Sequence, residues 1–142
     1  MLWRIVYISS AVSRDFSADA ADILRTAQRE NARRDVTGLL TFCEGSIFQV
    51  LEGARDDIEA IFARIERDPR HRSVIRLLSE TMPRRDFADW SMAWLGISED
   101  HVLAPQVRAT LKEARADGRR VSAELRILLD AFSGILGSPN AA

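Results

Sequence analysis

The sequence predicts an α+β fold, on three observations. Short runs rich in aromatic and β-branched residues alternate with amphipathic helical stretches. Two of those runs are separated only by Glu44-Gly45, a hairpin signature. The resulting order, β-α-β-β-α-β-β, suits a ferredoxin-like sandwich with two helices on one face of a five-stranded sheet.

Residues 2–8 (LWRIVYI) predict the first strand. Residues 17–31 predict a helix, with Ser17 as N-cap and Asp19 favourable in the first turn. Leu24, Ala27 and Asn31 share one stripe of it, beside Ile23. Residues 36–43 (VTGLLTFC) and 46–52 (SIFQVLE) predict the two hairpin strands. Residues 55–67 carry Ile58, Ile61, Phe62 and Ile65 at positions i, i+3, i+4 and i+7, with charges elsewhere. Asp68-Pro69 ends that helix, because the residue before proline avoids helical backbone. Residues 73–81 (SVIRLLSET) and 87–95 (FADWSMAWL) complete the sheet.

The character changes from Gly96. Val107, Leu111 and Ala114 mark one further helix, which Gly118 ends. Leu125, Leu128, Leu129, Phe132, Ile135 and Leu136 form a strong apolar stripe on another. Ser138-Pro139-Asn140 reads as a frayed tail. The expected division is a core domain over residues 1–96 and a helical extension over 97–142.

Composition narrows the class. The chain has 142 residues, 46% hydrophobic and 29% charged, as an ordinary globular domain does. Twenty basic and 21 acidic residues leave a net charge of -1, with no electrostatic commitment to nucleic acid or anionic lipid. Cys43 is the single cysteine, so an internal disulfide is excluded, and its apolar setting makes it a small buried hydrophobe. Met1-Leu2-Trp3-Arg4 does not open a signal peptide, and no apolar run approaches the roughly 20 residues of a membrane span. The expected location is cytoplasmic.

Three polar side chains fall on faces that should be apolar. Strand alternation puts Gln49 between Ile47 and Leu51, and Tyr7 with Trp3 and Ile5. Asn31 continues the apolar stripe of its helix. An unsatisfied buried amide costs roughly 1–3 kcal/mol, so each of these needs a partner. They satisfy one another and nearby backbone, or a planar heteroaromatic ligand satisfies them together. No Gly-x-Gly-x-x-Gly, no phosphate loop and no zinc-spaced Cys/His cluster is present. Neither histidine stands near an evident nucleophile in sequence, and the carboxylates fall mostly on helix exteriors. A hydrolase reading has no residue to start from.

The same residues carry a resemblance to the BLUF family, the sensors of blue light using FAD. It spans Leu2 to about Trp94. It comprises Arg4-Ile5-Val6-Tyr7-Ile8-Ser9, Asn31, Val36-Thr37-Gly38-Leu39-Leu40 and Phe48-Gln49-Val50-Leu51-Glu52-Gly53. Arg64-Ile65-Glu66-Arg67-Asp68-Pro69-Arg70-His71 and Arg85-Asp86-Phe87-Ala88-Asp89-Trp90-Ser91-Met92 complete it. Each string is weak alone; the ordered set with Tyr, Asn and Gln in register is specific.

The resemblance implies FAD, FMN or riboflavin bound between the two helices, its ring edge near the sheet. It implies that Gln49 and Asn31 bond the polar ring edge and that Tyr7 bonds Gln49. Tyr7 then supplies an electron and a proton to the excited flavin. Gln49 rotates or tautomerises, and the red-shifted state decays in the dark. A glutamine suits such a switch, because its amide has a donor end and an acceptor end. The resemblance places Trp90 and Met92 on the last core strand as relays of the change, although both also serve as core filling. It places Asp68, Arg70, His71 and Arg72 near the ribityl and phosphate end, where a loop salt bridge is the plain alternative. Arg33 and Arg34 are further phosphate candidates, or else an exposed turn. Glu30 departs from the family, being acidic where many members carry an amide, a basic or an aromatic residue.

The expected function is a photoreceptor, not an enzyme, that signals to a downstream protein in trans and forms a homo-oligomer, most simply a dimer. The stripe from Leu125 to Leu136 is an interface or packs on the sheet's free face. The alternatives are an enzyme of similar topology, for which the sequence offers no nucleophile or hydride path, and a nucleic-acid binder, which the charge disfavours.

Overall fold

The computed structural model describes residues 2–13, 17–117 and 122–136. The Ser17 side chain, Gly118 and Ser138-Pro139-Asn140 lie outside the described residues. The elements run β1 (Leu2–Ala11), α1 (Ser17–Arg33), β2 (Thr37–Cys43), β3 (Ser46–Ala54), α2 (Arg55–Glu66), β4 (His71–Met82), β5 (Ala93–Ile97), α3 (Ala104–Ala116) and α4 (Ser122–Leu136). The sheet order is β4-β1-β3-β2-β5. β1 runs antiparallel to β3 and β4, β2 antiparallel to β3, and β5 parallel to β2. This is the expected ferredoxin-like sheet, extended by one parallel edge strand.

The hairpin turn is as tight as its sequence requires. Cys43 pairs with Ser46, and both residues between them, Glu44 (φ 48°) and Gly45 (φ 85°), take positive φ. Such turns match the twist of the flanking strands. Gly38 answers a different need: a Cβ there would stand 1.9 Å from the Val50 carbonyl oxygen.

Alternation sorts the strand residues into two cores. On one face Ile5, Tyr7, Leu40, Ile47 and Leu51 meet α1 through Ala20 and α2 through Ile58 and Phe62. On the other, Val6, Ile8, Leu39, Phe48 and Val50 meet Val107 and Leu111 of α3 and Leu125, Leu128 and Phe132 of α4. The molecule is thus helix, sheet, helix in layers. The α4 stripe is core: Leu125, Leu128, Leu129 and Phe132 are buried, and of the residues read into it only Ile135 is exposed.

The fifth strand is shorter than predicted and begins later. It covers Ala93–Ile97 rather than 87–95, so Trp90 and Met92 precede the strand instead of lying on it. Asp and Ser side chains in this stretch favour turns over ladders. The Glu52 carboxylate accepts from the backbone N–H groups of Asp86 and Phe87, each at 2.9 Å. Trp90 N–H donates to Phe87 O, closing a turn, and Gly38 N–H donates to Trp90 O. β4 conversely begins earlier, at His71, and carries register irregularities with Ser73 at φ 56°.

An ionic cluster between sheet and α4, built around a buried arginine, escaped sequence reasoning. Arg4 is buried and pairs with Glu80 (2.5 Å) and Asp86 (2.6 Å). Arg126 of α4 pairs with Glu80 at 2.7 Å. Burial works against the Glu80 charge, but Arg126 and Arg4 together hold its carboxyl below the ordinary value. Part of the signal was present, since Arg4 interrupts an apolar strand; its partner Glu80 stands opposite it only through the β1–β4 register. No helix among the described residues is long and apolar enough to cross a membrane.

Candidate functional site

A cavity of about 530 Å³ opens over the sheet between α1 and α2. That size lies within the roughly 300–1,000 Å³ of small-molecule sites. Tyr7, Leu40, Ile47, Gln49 and Leu51 form its floor. Ile23, Ala27 and Asn31 line it from α1, and Ile61 and Ile65 from α2. The amphipathic stripes read from the sequence face this space, which leaves Ile61 and Ile65 only partly buried.

Tyr7 and Gln49 are direct cross-strand partners, so their side chains stand together on one face. The Tyr7 hydroxyl donates to Gln49 Oε1, and both residues are buried. The other end of the amide, Nε2, reaches the Met92 sulfur at 3.6 Å. The Tyr7 ring packs at 5.4 Å from Phe62 and 6.2 Å from His71. Burial pushes the Tyr7 phenol far above its ordinary ionisation range, and the Asp68 carboxylate adds to the shift. Tyr7 is the chain's single tyrosine, so a phenolate titration reports this site alone. We expect no phenolate absorbance near pH 10, where an exposed tyrosine ionises. A raised phenol pKa means that the unfolded chain loses the proton first. This group's contribution to stability is therefore complete below about pH 10 and falls as pH rises beyond it. Ionisation at the ordinary pH would contradict the burial.

Asn31 is buried at the cavity wall. Its Nδ2 donates to Ser91 O at 3.0 Å, which leaves the carbonyl end for a second partner. One turn earlier, Gln28 Nε2 donates to Met92 O at 3.1 Å. Trp90 and Met92, two residues apart, go to opposite sides. Met92 joins the cavity-side core, and Trp90 packs against the α3–α4 core.

The rim is charged. Asp68 and Arg70 are locked together by side-chain contacts of 2.5–3.1 Å. The Arg70 guanidinium holds the Asp68 carboxyl below its usual range. His71 contacts the Ile65 carbonyl through Nε2 (2.6 Å) and the Ser9 hydroxyl through Nδ1 (2.7 Å). A carbonyl only accepts, so Nε2 carries the proton. Asp68, Arg70 and His71 all line the cavity; Arg72, paired with Ser10 on β4, is exposed and does not. Arg33 and Arg34 also lie outside the lining, near Glu30 (3.9 Å) and Asp57 (3.5 Å) respectively. Arg64 and Arg67 line the rim and were not singled out, since on sequence they read as the solvated face of α2. Glu30 lines the cavity beside Asn31.

The arrangement is a largely apolar slot with an amide-phenol pair on its floor and cations at its mouth. It suits holding a flat polar-edged ring, with no clustered metal ligands among the described residues.

Comparison with known proteins follows the same outline. The family model for BLUF, sensors of blue-light using FAD, matches residues 2–93. Photoactivated adenylate cyclase subunit beta of Euglena longa is 34% identical over 92 residues, covering 64% of this chain and 11% of that protein. The blue light- and temperature-regulated antirepressor BluF of Escherichia coli (strain K12) is 33% identical over 92 residues, covering 65% of this chain and 23% of that protein. The chain therefore spans less than a quarter of these relatives' own length. Among solved structures, the dark state of BlrB, a BLUF protein, superposes with a TM-score of 0.75 at 27% identity, over 94% of this chain and 96% of that one.

Proposed function

Because the chain belongs to the BLUF family, the sensors of blue light using FAD, we propose that it is a blue-light receptor in which Tyr7 is the electron and proton donor and Gln49 the switch. The observation that carries this reading is the buried Tyr7-to-Gln49 hydrogen bond on the cavity floor. Bound flavin supplies light absorption and, when excited, oxidising power.

The residues present fit that cofactor. Apolar side chains from both helices flank a slot, Gln49 and Asn31 offer amides at its base, and arginines stand at its mouth. A planar ring with a polar edge and a phosphorylated tail has that same polarity. FMN and riboflavin share the ring and enter by the same logic. Asp68, Arg70 and His71 face the tail side, while Arg72 has no place in the lining.

Burial keeps Tyr7 neutral, so an electron leaves a protonated phenol. Its proton has a path into Gln49 Oε1. The opposite end of the Gln49 amide rests on a thioether, a weak acceptor. Rotating the amide gives up that contact and exchanges donor for acceptor toward the ring. Met92 reports the exchange to the segment before β5.

Residues 1–96 act as the sensor and 97–142 as its extension, of which helices α3 and α4 pack on the sheet's second face. The chain works as a sensor, not an enzyme, and passes the signal in trans to a downstream protein. The relatives named for a cyclase or an antirepressor show what kinds of output BLUF sensors accompany. Self-association as a dimer completes the proposal; exposed Ile127 and Ile135 on α4 are its apolar contact candidates.

The test is an absorption spectrum before and after blue light, followed by extraction of the pigment. A yellow protein whose flavin band shifts to the red and returns in the dark supports the reading. A colourless protein that takes up no added flavin sinks it.

A further inference from the structure

The Gln49 amide is held from outside the cavity as well as from within. Gln28 and Asn31 are one turn apart on α1 and share a face. They donate to two successive carbonyls, Met92 O at 3.1 Å and Ser91 O at 3.0 Å. In a regular strand, successive carbonyls point to opposite sides. Here one helix takes both, and the β2–β5 ladder starts only at Leu39 with Ala93. Ser91–Met92 thus lacks strand pairing at the point where the Met92 sulfur meets Gln49 Nε2. A thioether side chain is flexible and a weak acceptor, so its placement depends on the backbone beneath it.

We propose that Gln28 is a positioning residue for the switch: with Asn31 it fixes the backbone that seats the Met92 sulfur against Gln49. The proposal rests on the reading of Gln49 as the light-driven switch. Asn31 lines the cavity and would also touch a ligand, whereas Gln28 is exposed and outside the lining. Substitution at Gln28 therefore separates positioning from cofactor contact. The sulfur contact stabilises the orientation that turns Oε1 to Tyr7. Losing the Gln28 donor weakens that orientation and slows the return to it.

The experiment uses the flavin-loaded full chain: wild type, Gln28→Glu, Gln28→Lys, Met92→Ala and the Gln28→Glu/Met92→Ala double variant. Flavin content, the light-minus-dark difference spectrum and the dark-recovery rate are measured for each. Gln28→Glu is isosteric but has no donor, and recovery is expected to slow about three- to tenfold, the size of one net hydrogen bond. Gln28→Lys keeps a donor and stays within about twofold of wild type, on the same scale. The double variant recovers like Met92→Ala alone, because the effect passes through that residue. If Gln28→Glu fails to hold flavin, Gln28→Leu removes the donor without adding charge. Wild-type recovery in the donor-less variants, or an undiminished Gln28 effect without Met92, overturns the proposal while the switch stands. A wild type without any red shift overturns the switch reading and this proposal together.

Discussion

Gln49→Ala is expected to abolish the light-induced red shift while flavin stays bound, and Tyr7→Phe is expected to do the same. The two variants remove opposite ends of one buried hydrogen bond. Phenylalanine keeps the ring that packs 5.4 Å from Phe62 and deletes only the hydroxyl. It leaves the Gln49 oxygen without its donor and removes the proton that, in the proposed mechanism, follows the electron. Alanine at 49 removes the group proposed to rotate. Neither variant touches the apolar walls of the cavity, Ile23, Ile61 and Ile65. On the proposed reading those walls and Asn31 retain the ring. The measurement is a difference spectrum on purified protein with its flavin content determined separately. A normal photocycle in Gln49→Ala would refute the mechanism, whatever the fold.

The second large effect is on stability. Phe132→Ala is expected to cost about 3–5 kcal/mol, as truncation of a fully buried aromatic does. Phe132 is wholly buried and meets Phe48 edge-on with ring centroids 5.7 Å apart. A domain's whole stability is about 5–15 kcal/mol, so the loss is a large share of it. Leu128→Glu is harsher, because it puts an unpaired carboxylate at another wholly buried position. Denaturant unfolding followed by circular dichroism checks both. If the Leu125–Phe132 face of α4 instead served as an interface, Phe132→Ala would change the assembly mass and leave the unfolding midpoint of the monomer in place. An unchanged midpoint would mean that α4 does not pack as described.

Much of the candidate site was legible from chain order alone. Tyr7, Asn31 and Gln49 stood out as polar groups on apolar stripes. Periodicities of two and 3.6 residues fix which side chains share a face before any tertiary contact is known. The same periodicity located α2 from Ile58 to Ile65, and Glu44-Gly45 located the hairpin. It failed over residues 87–92. There the apolar residues mimic a strand, but the Glu52 carboxylate, 35 residues away from Phe87, captures the backbone N–H groups and bends the chain. Arg64 and Arg67 were missed for a related reason. A cation on a helix exterior looks the same whether it faces solvent or the mouth of a cavity.

By itself the sequence determined the strand and helix order, the hairpin register and the inward direction of the phenol and its amide partner, because local periodicity and turn chemistry act over a few residues. Tertiary structure alone decided that α4 covers the second sheet face, that Arg4, Glu80, Asp86 and Arg126 form one cluster, and that Met92 turns toward Gln49 while Trp90 turns away. These are contacts between residues far apart in the chain. Which distant partner wins depends on how completely each arrangement buries apolar surface and pairs its polar groups, and no short window of sequence contains that competition.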